Sequence, residues 1–307
     1  MTTLTYHADP MLTGLSLAYT NNEYIADKIF KRVPVNTESF KYKKYKKSLN
    51  LQLPDTRVGE TGEPNEVKFE HEKLTASVEG HSLIERIPET SKQEAQAENE
   101  TLMISATNFL TNVFLGAREK RLADLLQDTG NYGGNYKSLT SGEKFTNANS
   151  DAFGIVDDAC QKTWFKPNVI IGGRTAINAL RRNPYVVKAA NRNSGDSGKA
   201  TLQDLKDLFE VDNIYVGNSV ANLAKLGQSA NFVNTWGNDI ILAYINPSAN
   251  INYDVTFGIT AEVGKREIST AFDGEKGVRG VHCVKIAEQL KDVIIAPDCG
   301  YLLKGVC

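Results

Sequence analysis

NTESFKYKKYKKSLNLQLPDTRVGETGEPNEVKFEHEKLTASVEG (36–80) decides the fold. Along its first arm the apolar side chains fall at Phe40 and Tyr42, then Tyr45, then Leu49, Leu51 and Leu53. On the second arm they run Val67 and Phe69, then Leu74, Ala76 and Val78. Successive strand side chains point to opposite faces, so period-two alternation on both sides of GETGEPN (59–65) predicts a long β-hairpin. With Leu53 facing Val67, Tyr42 faces Val78. Each arm shifts its alternation once, near 43–44 and 71–73, as paired β-bulges would require.

Charge is segregated along this hairpin. Five of the seven residues from 41 to 47 are lysine, while Asp55, Glu60, Glu63, Glu66, Glu70 and Glu72 lie toward the tip. In the expected register Lys43 to Lys47 oppose Ser77 to Lys73, which leaves the lysines without acids on their own hairpin. A two-stranded ribbon this long has little core of its own, so it must lie on another surface. The plainer alternative is a solvated charged flap.

Working outward, Val33-Pro34-Val35 closes an N-terminal segment, and Pro88-Glu89-Thr90-Ser91 opens a helix. Ser91 with Glu94 has capping-box spacing. Leu102, Ala106, Phe109, Leu110, Val113 and Ala117 follow at three- and four-residue steps, as a core-facing stripe would. Glu89, Glu94, Glu98 and Glu100 precede Arg118, Lys120 and Arg121, the polarity that suits the helix dipole. From 89 to 128 such a helix would be about 55–60 Å long. GNYGGNYKSLTSG then reads as a turn or exposed hairpin. Beyond residue 151 the texture is α/β. Helices are expected at 152–165, at 174–183 up to Pro184, and at 201–209, with strands at 168–173, 213–217 and 239–246. NRNSGDSGK (191–199) is a flexible loop, and strands fill the C-terminal part.

No catalytic pattern emerges. Gly172-Gly173-Arg174 lies between a strand and a helix but lacks both common phosphate-loop patterns, so it reads as a tight turn. His7, His71, His81 and His282 have no metal-site spacing. The carboxylates are scattered, and no nucleophile motif occurs. The sequence therefore nominates no catalytic, metal or cofactor residue. With 35 basic and 37 acidic residues among 307, nothing calls for a counterion-releasing nucleic-acid binder. Cys160, Cys283, Cys299 and Cys307 form no disulfide framework and fit a reducing cytoplasm. MTTLTYHADP is no signal peptide, and no apolar run approaches the roughly 20 residues of a membrane span.

The order of these parts resembles the major capsid protein fold of tailed bacteriophages, shared in outline with encapsulin compartments. LPDTRVGETGEPNEV (53–67) resembles the tip of that family's extended hairpin, the E-loop. FLGAREKRLADLLQD (114–128) resembles the end of its spine helix. NVIIGGRTAINALRRNPYV (168–186) and TWGNDIILAYINP (235–247) are similar to parts of its axial domain. The resemblance implies an α+β fold with an N-arm at 1–35 and an E-loop at 36–80. A peripheral domain would take 81–150 and 253–289, with the spine helix at about 89–128, and an α/β axial domain 151–252 and 290–307. It also implies a structural protein, not an enzyme, that forms pentamers and hexamers of an icosahedral shell around double-stranded DNA, held by volume and without sequence-specific binding. An encapsulin-like compartment, an α/β enzyme and a tail or adaptor ring are the alternatives. Since Met1 stands close to the N-arm, a separate scaffold protein is expected, together with a portal and decoration proteins.

The resemblance further implies that the E-loop of one subunit lies over the peripheral domain of the next. Lys43, Lys44, Lys46 and Lys47 are thus candidates to meet acids of a neighbour, with Glu94 and Glu98 first among them. Glu60, Glu63 and Glu66 at the tip complete the candidate interface. Residues 191–199 are expected toward the five- and six-fold axes, and spacing alone nominates no lysine–asparagine cross-link.

Overall fold

The computed structural model describes residues 4–45, 47, 53, 55–58, 62–66, 72–94, 99–191, 198–225, 227–251 and 254–307; within them the side chains of 92–94, 99–101 and 191 are not described. Two five-stranded sheets carry the molecule. The first is built on two long antiparallel strands, Gly258–Asp273 and Val281–Ile294. Their register shifts between Val263 and Glu267, where Gly264 takes φ +69°, the left-handed value a bulge glycine supplies. Glu79–Pro88 adds to the outer edge of Val281–Ile294. Along the other long strand lies the N-terminal segment. His7–Ala8 pairs antiparallel with Ser269 and Thr270, and Arg32–Pro34 pairs parallel with Thr260 to Glu262.

Across this sheet lies the helix Asn99–Gln127. Its 29 residues span about 43 Å at about 1.5 Å per residue. A short helix, Glu89–Glu94, precedes it, and residues 95–98 between the two lie outside the described residues. Ala106, Leu110 and Phe114 pack on Ile268, Val284 and Ile286 of the sheet and on Leu12. Leu12 belongs to an N-terminal helix, Pro10–Ala18, that the sequence reading did not anticipate. Asp9 caps it and Pro10 occupies its first turn, where the missing N–H costs nothing.

The second sheet has the order Tyr136–Ser138, Gly300–Lys304, Ile240–Ala243, Val169–Gly173, Asn213–Gly217. Every residue of its two central strands is buried, which explains their continuous apolar runs. Ile170, Ile240 and Leu242 pack against Val156, Ile177, Leu180 and Leu205 of the covering helices. Val169, Ile171, Ile241 and Ala243 face the other way, into a core shared with Leu122 and Leu126 of the long helix and with Ile29 and Phe30. The helix Arg174–Arg182 ends as expected, but Pro184 does more than stop it. It is the first residue of a new helix, Pro184–Asn191. GNYGGNYKSLTSG forms a short 3-10 turn at Thr129–Tyr132, then Tyr136–Ser138, which pairs parallel with the C-terminal strand instead of forming a hairpin.

The predicted hairpin exists, with Ser39–Lys44 paired to Glu72–Ser77, but its register differs. Tyr42 faces Leu74 and not Val78, Lys43 faces Lys73, and Lys44 faces Glu72. The lysine run therefore does meet an acid on its own hairpin, contrary to the expectation. No shift interrupts this ladder, so the bulge expected at 43–44 is absent from it. The cause is tertiary: Phe40 and Tyr45 are buried in the shared core, and Tyr45 leaves the ladder to donate its N–H to the Ile295 carbonyl at 3.0 Å. Burial of two aromatic rings outweighs any pairing preference of charged arms.

Candidate functional site

The base of the hairpin is anchored on its own subunit. Besides Phe40 and Tyr45, the Lys47 N–H donates to Asp298 Oδ2 at 2.8 Å, while the Val78 N–H, donating to the Glu38 carbonyl at 2.9 Å, ties the two arms together at their base. Only Val78 separates the second arm from the edge strand Glu79–Pro88, so the hairpin is a continuation of the first sheet. Toward the tip, Asp55 Oδ1 accepts from the Arg57 N–H at 2.9 Å, and Asn65 Nδ2 donates to the Asp55 carbonyl at 2.7 Å. Leu53, 96% exposed, and Val58 present apolar surface there, beside exposed Glu63 and Glu66. Lys46, Glu60 and Glu98 lie outside the described residues, as does the side chain of Glu94. The four lysines and the acids named for them are therefore not seen in contact.

Sequence reasoning misassigned one face of the long helix. Of the apolar stripe it placed in the core, Ala106 and Leu110 are buried, but Phe109 is 60% and Val113 41% exposed, with Ala117 exposed beyond them. Phe109, Val113 and Ala117 succeed one another at four-residue steps and form a second, outward stripe. Next to this helix, Pro10–Ala18 presses Leu12 and Ser16 inward, with Ser16 Oγ 3.0 Å from Thr111 Oγ1. Its Met11, Gly14, Leu17 and Ala18 point outward. The period alone does not separate the two stripes, because they lie side by side on the helix.

A second hairpin went unread. Val220–Asn222 pairs with Phe232–Asn234 and leaves the body of the second sheet. Val220, 57% exposed, and Phe232, 71% exposed, are diagonal neighbours on one of its faces. Leu223 and Val233 are exposed on the other. Apolar residues on both faces of a projecting ribbon have no use in an isolated subunit.

The body that carries these surfaces is fastened by buried charge. Glu119 is fully buried. Its Oε1 accepts from the Trp236 Nε1–H at 2.6 Å and from the Ile25 N–H at 3.0 Å, and its Oε2 accepts from the Ala26 N–H at 2.8 Å. One carboxylate thus ties the N-terminal segment, the long helix and the approach to the second sheet. Burial raises its pKa, against the pull of these hydrogen bonds and of Arg118. Beside it, buried Arg118 pairs with Asp27 and donates to Thr260 Oγ1 at 3.3 Å. Arg32 pairs with Asp27, Glu262 and Glu288, and Arg266 donates to the Ser16 carbonyl at 2.5 Å. Each such pair is offset by the cost of desolvation, and what the network contributes is a fixed arrangement of parts.

No protein-family model matches the chain. The chain is 33% identical over 306 residues to the major capsid protein of Pseudomonas phage JBD67, with 99% of both chains covered. Against the major capsid protein of Burkholderia phage BcepMu the identity is 28% over 309 residues, covering 97% of this chain and 96% of that one. A phage-related protein of Bordetella bronchiseptica RB50 superposes with a TM-score of 0.75 at 20% identity, covering 98% of each chain. The capsid of a native GTA particle superposes with a TM-score of 0.60 at 13% identity, covering 94% of this chain and 92% of that one. The chain belongs to the major capsid proteins of phages.

Proposed function

We propose that this subunit assembles as pentamers and hexamers into an icosahedral head that encloses double-stranded DNA, the hairpin of each subunit lying over the long helix of the next. The observation that carries this reading is a second apolar stripe on the long helix. Phe109, Val113 and Ala117 stand in solvent beside the buried row of Ala106, Leu110 and Phe114. A neighbour's hairpin supplies the missing cover with Leu53 and Val58. Burying a side chain of this size fully is worth about 1.5–3 kcal/mol, so each partial contact contributes less, but symmetry repeats it around every ring.

In this reading residues 1–35 are the N-arm and 36–80 the E-loop. The first sheet with the long helix is the peripheral domain and the second sheet the axial domain. Strand Val281–Ile294 favours placing the second crossing at 294 instead of 289, because it runs unbroken through that point. Lys43, Lys44, Lys46 and Lys47 are assigned to a rim around the apolar contact, where exposed ion pairs tune assembly by about 0–1 kcal/mol each.

Negative-stain electron microscopy of the purified protein, alone and with a scaffold protein, tests the reading. Closed particles, or free pentamers and hexamers that close when scaffold is added, are expected. A stable monomer or dimer under every condition overturns it.

A further inference from the structure

Charge in this chain is near balance overall but not along its length. Between Arg174 and Lys199 stand six basic residues, Arg174, Arg181, Arg182, Lys188, Arg192 and Lys199, against the single acid Asp196. Three of the described members, Arg174, Arg181 and Arg182, stand on the helix Arg174–Arg182. Arg174, Asn178 and Arg182 recur at four-residue steps on one face, spanning about 12 Å. They line one open cleft of about 710 Å³, together with Thr175 and Asn234. Arg174 and Arg182 are exposed and enter no ion pair among the described residues. Arg181 donates Nε–H to the Ala200 carbonyl at 2.7 Å, which brings the approach to Lys199 against the same helix. Desolvation, and then the charges of Arg181, Arg182 and Arg174, lower the Lys199 pKa. The acid that faces the group is Asp204, whose carboxylate is held by Thr201.

Helix stability accounts for Arg181 and Arg182, which stand in the last turn where cations suit the dipole, but not for Arg174. A cation at the first position of a helix opposes the dipole, and no acid stands in the first turn of this one. Crowded cations repel one another, so the cluster calls for an anion. The donors are guanidinium forks and amides on an open cleft. They suit a repeating phosphate backbone, which satisfies several donors without close shape matching. An acidic protein partner would instead need buried aromatic or aliphatic anchors at the centre of the contact.

We propose that Arg174, Arg182 and Lys199, with Asn178 between the arginines, form a sequence-independent binding site for the phosphate backbone of DNA. This rests on the reading that the shell encloses double-stranded DNA. It replaces the expectation that DNA is held by volume alone with a weak, salt-sensitive tether repeated on every subunit. Each phosphate neutralised contributes about 0.9 to the slope of log affinity against log salt.

The test is fluorescence anisotropy of the full-length oligomer with a labelled random-sequence duplex, titrated at several salt concentrations. The triple variant R174Q/R182Q/K199Q is compared with a control on the first sheet, K265Q. Both are checked for closed particles by microscopy, which reads the shell separately from the tether. The expected result is salt-dependent binding by the wild type and the control. In the triple variant affinity falls at least about tenfold at low salt, the slope drops by about 3, and shells still close. Absence of salt-dependent binding in the wild type overturns the proposal. So does an equal loss in the control, or binding of poly-glutamate in preference to DNA. Failure of the triple variant to close shells while it still binds DNA would make the patch a contact between copies, and also overturns it.

Discussion

At the scale of single residues, Glu119 joins parts of the structure that lie far apart in the chain. Removing its carboxylate leaves the Ile25, Ala26 and Trp236 N–H groups buried without an acceptor. Glu119→Ala should cost about 3–5 kcal/mol in urea unfolding of the unassembled subunit. A carboxyl with a raised folded pKa holds more proton in the folded state than in the unfolded one between the two values. Its contribution to stability therefore falls as pH rises through that window. Glu119→Gln lacks this slope, so its stability relative to wild type should rise from acid toward neutral pH, whatever the mean offset. Gly217 packs against the pyrrole part of the Trp236 ring, where an added Cβ would lie 1.9 Å from the indole Cδ1. Gly217→Ala should destabilise by about 1–3 kcal/mol, measured by thermal or urea unfolding. None of this was legible in the sequence. Glu119 stands between Arg118 and Lys120 and reads as one more charge on a solvated helix, and Gly217 as the end of a strand. Partners 94 and 117 residues away leave no mark on local pattern.

Elements were read better than residues, and their failures have identifiable causes. Strand 169–173 was found because a strand buried on both faces is a continuous apolar run bounded by turns, and 213–217, a partly buried edge strand, by its short apolar run before a glycine. The hairpin was found by its alternation, but its register was set by the burial of Phe40 and Tyr45, which pattern alone does not reveal. The long helix was found by its period, yet Phe109, Val113 and Ala117 were placed in the core because one periodic stripe cannot be distinguished from two adjacent ones. The outer stripe supplies a separable prediction. Phe109→Ser with Val113→Ser should leave subunit stability within about 0.5 kcal/mol per site, as exposed substitutions do, yet block or slow particle formation seen by light scattering. Loss of folding, or normal shells, would remove the stripe from the interface. Val220→Ser with Phe232→Ser probes the projecting hairpin in the same way.

At the scale of the whole molecule, two sheets and one long helix form a body whose surplus apolar surfaces and segregated charges make sense only when copies surround it. Reversing Lys43, Lys44, Lys46 and Lys47 to glutamate should slow assembly and change its salt dependence while leaving the subunit folded. Light scattering at two ionic strengths reads both effects. The resemblance visible in the order of N-terminal segment, hairpin, long helix and α/β region extended over most of the chain, and curated relatives match it over 99% and 97% of its length. What the order of elements could not disclose was which surfaces are spare, because exposure is a property of the packed molecule. The most direct measurement is a cryo-electron microscopy reconstruction of closed particles at a resolution that shows side chains. The account predicts density for residues 53–66 of one subunit lying on Phe109, Val113 and Ala117 of its neighbour. A closed shell in which that stripe faces solvent would contradict it.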